Sequence, residues 1–210
     1  MRLCIGIPTI NRADLLRESL ASLAETCPEA HVVLVDNGHQ SLDVLLDEVG
    51  RHYGRYTLVE NDRNLGVAGS WNQLARIAWD HDHTHVWIVN DDIVLGRDER
   101  EVVRAIGRCP ARVLLAPEAR YASFVLPRAV HEAVGDFDEQ FYPAYCEDDD
   151  YDERLERAGL PTVTEHLLEP KKFRRMSSSA RDSKLYDYER AKARLIAKWG
   201  PEIELRLLVR

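Results

Sequence analysis

Short apolar runs alternate with helix-period segments through four units before residue 96, and few architectures accept that order. Leu3-Cys4-Ile5-Gly6-Ile7 is an apolar run closed by Pro8, which reads as a strand and its end. Leu15, Leu16, Leu20 and Leu23 then share one helical face. His31 to Val35 is a second strand, ending in the turn signal Asp36-Asn37-Gly38. Leu42, Leu45, Leu46 and Val49 mark another helix, and Tyr56 to Val59 a third strand. An Asn- and Gly-rich loop, 61–70, leads into a helix carrying Trp71, Leu74, Ala75, Ala78 and Trp79. Val86 to Val89 is the fourth strand. The alternation predicts an α/β fold, a mostly parallel central sheet flanked by helices on both faces. Its connections are right-handed crossovers. Ligands of open α/β sheets sit outside the carboxyl ends of the strands. The polar clusters of this chain fall there: Thr9 and Asn11, Asp36 and Asn37, Asn61 to Gly66, and Asn90 to Asp92.

Two acidic clusters stand out. Asn90-Asp91-Asp92 interrupts an apolar stretch that resumes at once with Ile93-Val94-Leu95. Adjacent carboxylates between apolar flanks are costly to desolvate without a partner. A hard divalent cation completed by substrate phosphates is one such partner, and a solvated turn is the other reading. Glu147-Asp148-Asp149-Asp150 opens a helix that runs to Arg157, with Gly159 beyond. Negative charge at a helix N-terminus is favourable in itself. Packed like charges also raise at least one carboxyl pKa, which suits a general base working near neutrality.

Composition narrows the classes. The 210 residues are 45% hydrophobic and 30% charged, with a formal charge of 28 − 36 = −8. That balance disfavours broad nucleic-acid binding and adsorption to anionic membranes. Lys171-Lys172-Phe173-Arg174-Arg175 is a local basic patch against this background. No apolar run approaches the roughly 20 residues that span a bilayer. The N-terminus opens into a strand without a signal layout. Four separated cysteines lack any CxxC pair and read as reduced thiols. The expectation is a cytoplasmic protein. His81, His83 and His85 alternate ahead of the fourth strand and suggest zinc only superficially, because they enter a core strand. Trp71, Trp79 and Trp87 read as core, whereas Tyr121, Tyr142 and Tyr145 lie in loops where an acceptor can stack.

The second half departs from simple alternation. Residues 112–116 and 122–126 read as strands joined by a short loop, and 127–134 as a helix ending at Gly135. Residues 160–168 read as a further strand and 186–199 as a helix packing back on the domain. With no repeat or linker, the chain is expected to be one domain over 1–210. Its expected parts are one half over 1–95, a second half over 96–182 and a C-terminal helix over 183–210.

Several motifs, in order, carry a resemblance. Ile7-Pro8-Thr9-Ile10-Asn11-Arg12, Val35-Asp36-Asn37-Gly38 and the segment Asn64 to Asn72 resemble motifs of family 2 glycosyltransferases, which have the GT-A fold. Asn90-Asp91-Asp92 sits where that family has its Asp-x-Asp metal motif. Gly135-Asp136-Phe137-Asp138-Glu139 and Glu147-Asp148 resemble its Gly-x-Phe-Asp-Glu loop and Glu-Asp catalytic motif. The resemblance implies an inverting transfer from a UDP-, GDP- or dTDP-linked sugar to an unidentified acceptor hydroxyl. It implies a nucleotide-sugar site built from Pro8, Thr9, Asn11, Arg12, Asp36, Asn64, Gly66, Asn72, Asn90 and Asp91. Asp92, with Asp91, would hold Mg²⁺ or Mn²⁺ on the diphosphate. Asp148 would be the base, and Glu147 its neighbour in the donor or acceptor pocket.

Two departures qualify this. Asn90 replaces the first carboxylate of the metal motif, though an amide oxygen still ligates a hard cation. Where relatives carry a late His, this chain has His166 in an apparent strand and then Lys171, Lys172, Arg174 and Arg175, which can neutralise a diphosphate. The expectation is a chain without a C-terminal membrane or acceptor domain, whose acceptor is soluble or presented by a partner. Three other readings compete. A sugar-1-phosphate nucleotidyltransferase is disfavoured by the glycine-free Pro8-Thr9-Ile10-Asn11 opening. A degenerate nucleotide-sugar-binding scaffold is favoured by Asn90 and opposed by Glu147-Asp148. A nucleic-acid base acceptor is disfavoured by net charge.

Overall fold

The computed structural model describes residues 1–50, 53, 55–94, 99–108, 112–114, 117–160, 162–164 and 187–207. Seven strands form one sheet: β1 (Leu3–Thr9), β2 (His31–Asp36), β3 (Arg55–Glu60), β4 (His85–Val89), β5 (Arg112–Leu114), β6 (Ser123–Pro127) and β7 (Thr162–Thr164), in the order β3-β2-β1-β4-β6-β5-β7. The first four are mutually parallel, as the alternation predicts. β6 runs antiparallel to β4 and β5. The reason lies in connection length. A parallel return needs a crossover of about a dozen residues or more, and only residues 115–122 separate β5 from β6.

The helices are α1 (Ala13–Thr26), α2 (Asp43–Val49), α3 (Gly66–Asp80), α4 (Glu99–Arg108), α5 (Arg128–Val134), α6 (Glu147–Arg157), α7 (Tyr188–Trp199) and α8 (Glu202–Leu207). Successive strand residues serve opposite faces. Ile5, Ile7, Val32 and Leu34 pack with Leu16, Leu20 and Leu23 of α1. Cys4, Val33 and Val35 pack with Trp71, Leu74 and Ala78 of α3 on the other side. Both faces are covered, which is why these strands read as continuous apolar runs rather than alternating ones. Fully burying a leucine such as Leu16 or Leu20 contributes about 1.5–3 kcal/mol. Trp87 is buried at the sheet centre, its indole N–H donating to Ser123 at 2.9 Å.

A third, smaller cluster joins Phe141 and Cys146 to Ala191, Leu195 and Ile203, so α7 and α8 close over the loop ahead of α6. Helix α4 is an element the sequence reading did not name. Of the strand expected over 160–168, Thr162–Thr164 is seen; His166 and the patch Lys171, Lys172, Arg174 and Arg175 lie outside the described residues. Among the described residues no helix is long and apolar enough to cross a membrane, and no disulfide links the buried thiols of Cys4, Cys27 and Cys146.

Candidate active site

The carboxyl ends of β1, β2 and β4 lie side by side because those strands are neighbours in the sheet. Thr9 ends β1, is buried, and donates its hydroxyl to Asp91 at 2.7 Å. Gln40 in turn donates to Thr9 at 3.1 Å. Burial pushes the Asp91 carboxyl up to about 7, and the charge of Asp92 adds to the effect, while the Thr9 hydroxyl and the Arg12 charge oppose it. Asp91 and Asp92 are both half-buried on the turn that leaves β4. The oxygens of Asp91, which resists ionisation, and of the adjacent Asp92 make a donor set that a hard dication fits. Asn90 is anchored through its backbone, its N–H donating to the Ala122 carbonyl at 2.9 Å.

The neighbouring loops are stitched by amides and carboxylates. Asp36 is fully buried and accepts from the Gly38 N–H at 2.8 Å, the Gln40 N–H at 3.0 Å and the Gln40 amide at 3.2 Å. It therefore shapes the turn after β2, and only its remaining lone pairs are open to a nucleotide. Asn37 donates to Ser70 and accepts from Asn61 and the Leu65 N–H. Asn61 and Gln73 exchange two amide hydrogen bonds of 2.9 Å. Asn64 folds back on the Gly66 N–H at 2.8 Å. This network holds the 61–66 loop between β3 and the start of α3. Asn11, exposed, has φ 53°, and a Cβ on Gly38 would lie 2.8 Å from the Asn11 backbone nitrogen, so only glycine lets the two loops approach.

Gly66 connects the halves. Its φ is +73°, and a Cβ there would meet the Pro143 carbonyl at 2.8 Å. The Val67 N–H donates to that carbonyl at 2.9 Å, which seats the 142–146 loop on the N-terminus of α3. Tyr145 and Cys146 follow with φ of 79° and 66°, two consecutive left-handed residues without a glycine. Such backbone costs of order 1–3 kcal/mol per residue and is held in place by its surroundings. It delivers Glu147 and Asp148 into the first turn of α6.

The four acids of that turn have four surroundings. Glu147 is buried, and its Oε2 has no hydrogen-bond partner. Burial, then the charge of Asp148, raises its pKa well above the ordinary carboxylate range. Asp148 keeps 21% of its side chain exposed and stands 3.6 Å from the Arg120 guanidinium. Its pKa is raised to about 6, by burial first and then the charge of Asp149, with Arg120 pulling the other way. Asp149 accepts two hydrogen bonds of 3.1 Å from Arg120. Asp150 is fully buried and bound by Arg154 at 3.0 Å, Lys198 at 2.6 Å and the Trp199 indole at 2.8 Å. It anchors α7 to the start of α6.

Arg120 is the functional residue that sequence reasoning missed. Its φ of 46° and ψ of −112° are far from helical values. It bridges Asp148, Asp149 and Asp152, two residues before the Ala122 carbonyl that holds Asn90. One short segment thus ties the acidic end of β4 to the start of α6. Nothing in the local pattern announces this, because all three partners lie about thirty residues away.

Two expectations need correction. Asn72 does not line a pocket: it is fully buried, donating to the Phe137 carbonyl at 2.9 Å and Glu139 at 3.0 Å and accepting from the Phe137 N–H at 2.8 Å. It fastens α3 to the 135–141 loop. Tyr121 is no stacking platform, since it is buried against Trp71 and Phe124 with its hydroxyl on Asp152 at 2.8 Å. Tyr142 is exposed. Trp71 and Trp87 are core residues as expected.

The chain resembles a mannosyltransferase from Pyrobaculum calidifontis, PcManGT, solved with GDP-Man and Mn²⁺, at 19% identity and a TM-score of 0.62; the match covers 78% of this chain and 54% of that one. S. aureus TarS (residues 1–349), solved with UDP-GlcNAc, matches at 14% identity and a TM-score of 0.61, over 78% of this chain and 56% of that one. The same fragment with UDP matches at 16% identity and a TM-score of 0.57, covering 72% and 54%. The chain spans about half the length of these structures. No curated protein matches it by sequence. At such identities the structures establish the GT-A fold. The model of the family named Glycosyl transferase family 2 matches residues 4–145, from β1 through the loop that delivers Glu147, and the chain belongs to that family.

Proposed function

We propose that this protein transfers a glycosyl group from a nucleotide-diphosphate sugar to an acceptor hydroxyl with inversion. The observation that carries the reading is the link of two acidic sites through one segment, Arg120 meeting Asp148 and the Ala122 carbonyl accepting from the Asn90 N–H. Asp91 and Asp92 close β4 with a carboxyl raised to about 7, and Asp148 opens α6 with one raised to about 6. Asp148 is the base. It takes the acceptor proton as the acceptor oxygen attacks the anomeric carbon, and the bond from that carbon to the diphosphate breaks. A base that titrates near 6 is ionised at neutral pH yet basic enough to accept the proton. Glu147, with one buried oxygen unpaired, is placed to bind a sugar or acceptor hydroxyl. Thr9, Asn11, Arg12, Asp36, Asn64 and Gly66 shape the nucleotide side, Pro8 ends the strand beneath them, and Asn90 sits beside the diphosphate.

Asp92 and Asp91 would hold Mg²⁺ or Mn²⁺, which when bound supplies positive charge where the leaving diphosphate gathers negative charge. PcManGT was solved with Mn²⁺ and GDP-Man, and TarS with UDP-GlcNAc; a mannose- or N-acetylglucosamine-type donor is therefore the first to try. The test is a panel of UDP-, GDP- and dTDP-sugars, with and without Mn²⁺, read by thermal shift and nucleotide release. A donor that stabilises the protein and is turned over by the wild type but not by Asp148→Asn supports the reading. Stabilisation with equal turnover in Asp148→Asn sinks the base. The absence of stabilisation by any donor sinks the function.

A further inference from the structure

The amino ends of the strands carry a second cluster of quite different chemistry. Cys4 of β1 and His31 of β2 are register partners and so face the same side of the sheet, the α3 side. His83 enters from the turn after α3, where its N–H donates to the Ala78 carbonyl at 2.9 Å. One donor atom from each of these three side chains lies within 4.8 Å of the other two. His31 Nδ1 and His83 Nε2 face each other at 2.9 Å. The other nitrogen of His31 is 3.0 Å from the Thr57 hydroxyl, and His83 Nδ1 is buried without a hydrogen-bond partner. His81 lies edge-on to His31, ring centres 5.1 Å apart, and is exposed.

We propose that Cys4 Sγ, His31 Nδ1 and His83 Nε2 bind one zinc-type transition-metal ion, with His81 or water in the fourth position. One thiolate and two or three imidazoles in a tetrahedral arrangement are a donor set that selects zinc over the hard cations. The site differs in place as well as kind from the carboxylate pair. Cys4 and Thr9 are five residues apart on β1, about 16 Å along the strand. Four features support it. With Nδ1 on the ion, the His31 Nε2–H would donate to the Thr57 hydroxyl 3.0 Å away, the outer hydrogen bond that fixes a ligating ring. The C-terminal end of α3 favours a cation. Cys4 and His31 are buried, which shields the sulfur and one ring from competing water. Half-exposed His83 and exposed His81 give an ion a way in.

The binding step balances simply. Cys4, pushed up to about 12 by burial, gives up its thiol proton to solvent as the sulfur–metal bond forms, because a coordinating thiol is deprotonated outright. The His83 proton moves from Nε2 to Nδ1 and the ring stays neutral. One proton is therefore released per ion, and affinity rises with pH. The ion would join β1, β2 and the end of α3, with an orienting contact from β3, which makes the site structural. The sequence reading weighed zinc at His81, His83 and His85 and set it aside. Of those three, the fold brings His83 together with Cys4 and His31, while His85 meets Thr84 at 2.9 Å and His81 meets Arg55 at 3.1 Å.

The test is Co²⁺ titration of the full chain after chelation and dialysis. The wild type should give a thiolate-to-cobalt charge-transfer band at one equivalent, reversed by Zn²⁺. Asp92→Asn should keep the band, which separates this site from the oxygen-donor pair. Cys4→Ser should abolish it. His83→Gln, at a half-exposed turn, should weaken Co²⁺ binding about 100-fold, and Thr57→Val about 10-fold. A folded wild type with no thiolate band, or a band unchanged in His83→Gln, overturns the proposal and leaves the two rings as a hydrogen-bonded pair.

Discussion

The two acidic clusters look alike in sequence and differ in what surrounds them. At the end of β4, Thr9 supplies one hydroxyl to Asp91, and burial and the neighbouring charge of Asp92 oppose the ionisation of Asp91. The run from Glu147 to Asp150 is instead divided. Asp149 and Asp150 are clamped by Arg120, Arg154, Lys198 and Trp199. Glu147 and Asp148 stay elevated in pKa. Charge density therefore does not mark chemistry. A carboxylate clamped by several donors is part of the frame, and one whose pKa its surroundings raise is available to a substrate, a proton or a metal. The difference can be broken open one residue at a time.

Asp148→Asn should cause the largest loss. Removal of a positioned base costs about 10²–10⁴-fold in kcat, with donor binding by thermal shift nearly unchanged. Stability should move the other way. The folded pKa of Asp148 lies above its ordinary 3.8, at about 6. That group favours the folded state only while it is protonated, and the advantage fades as pH rises from about 4 through about 6. The variant should therefore gain in Tm relative to wild type over that interval. Equal rates would remove Asp148 from the mechanism.

Asp150→Asn, two residues on, should do the reverse. Asp150 has no exposed surface and meets three donors. Breaking a buried ion pair costs about 3–5 kcal/mol. The lower end applies here, because Arg154 keeps the Val134 and Asp136 carbonyls and Lys198 keeps Asp138. Urea unfolding should show a loss of about 3 kcal/mol, with kcat at low temperature within a few-fold of wild type. A loss of rate without loss of stability would show that the division of the run into frame and chemistry is wrong.

The same contrast explains what was readable beforehand. β1 to β4 and their polar ends were legible because each apolar run is local and its break lies within three residues of it. Helix α6 was legible from its charge order, acids first and Arg154 and Arg157 last. Roles that depend on distant partners were not. Asn72 resembled a pocket residue until its amide was seen bound to Phe137 and Glu139, sixty-five and sixty-seven positions away. Arg120 acquires its meaning only from α6, and Cys4 and His31 only from strand register. Sequence periodicity reports which face a residue occupies, and the neighbour across that face is decided by topology.

At the end of β4, Asp92→Asn should weaken Mn²⁺ binding by about tenfold or more, since the charge count of the ligands sets affinity for hard cations. Asp91→Asn should do less, because Thr9 already holds one of its oxygens. Isothermal titration with Mn²⁺ in the presence of nucleoside diphosphate measures both. Identical losses would mean that the two carboxylates share the ion equally, and no loss in either would place the metal elsewhere.

The smallest effect tests the connection between the clusters. Arg120 is cationic, lies 3.6 Å from Asp148, and lowers its pKa against the larger effect of burial. In the wild type the rate should rise with pH through about 6 as Asp148 loses its proton and becomes able to act as a base. Arg120→Gln removes the opposing charge, so the folded carboxyl titrates higher and the rising limb of the profile moves to higher pH. Asp149 and Asp152 also lose a partner in this variant, and their freed negative charge pushes Asp148 in the same direction. The shift is read in kcat/KM against pH, normalised to each protein's own plateau so that a general loss of activity does not imitate it. A limb that stays in place would mean that Arg120 only braces α6. A limb that moves down would mean that the base is some other group, one that Arg120 does not help to ionise.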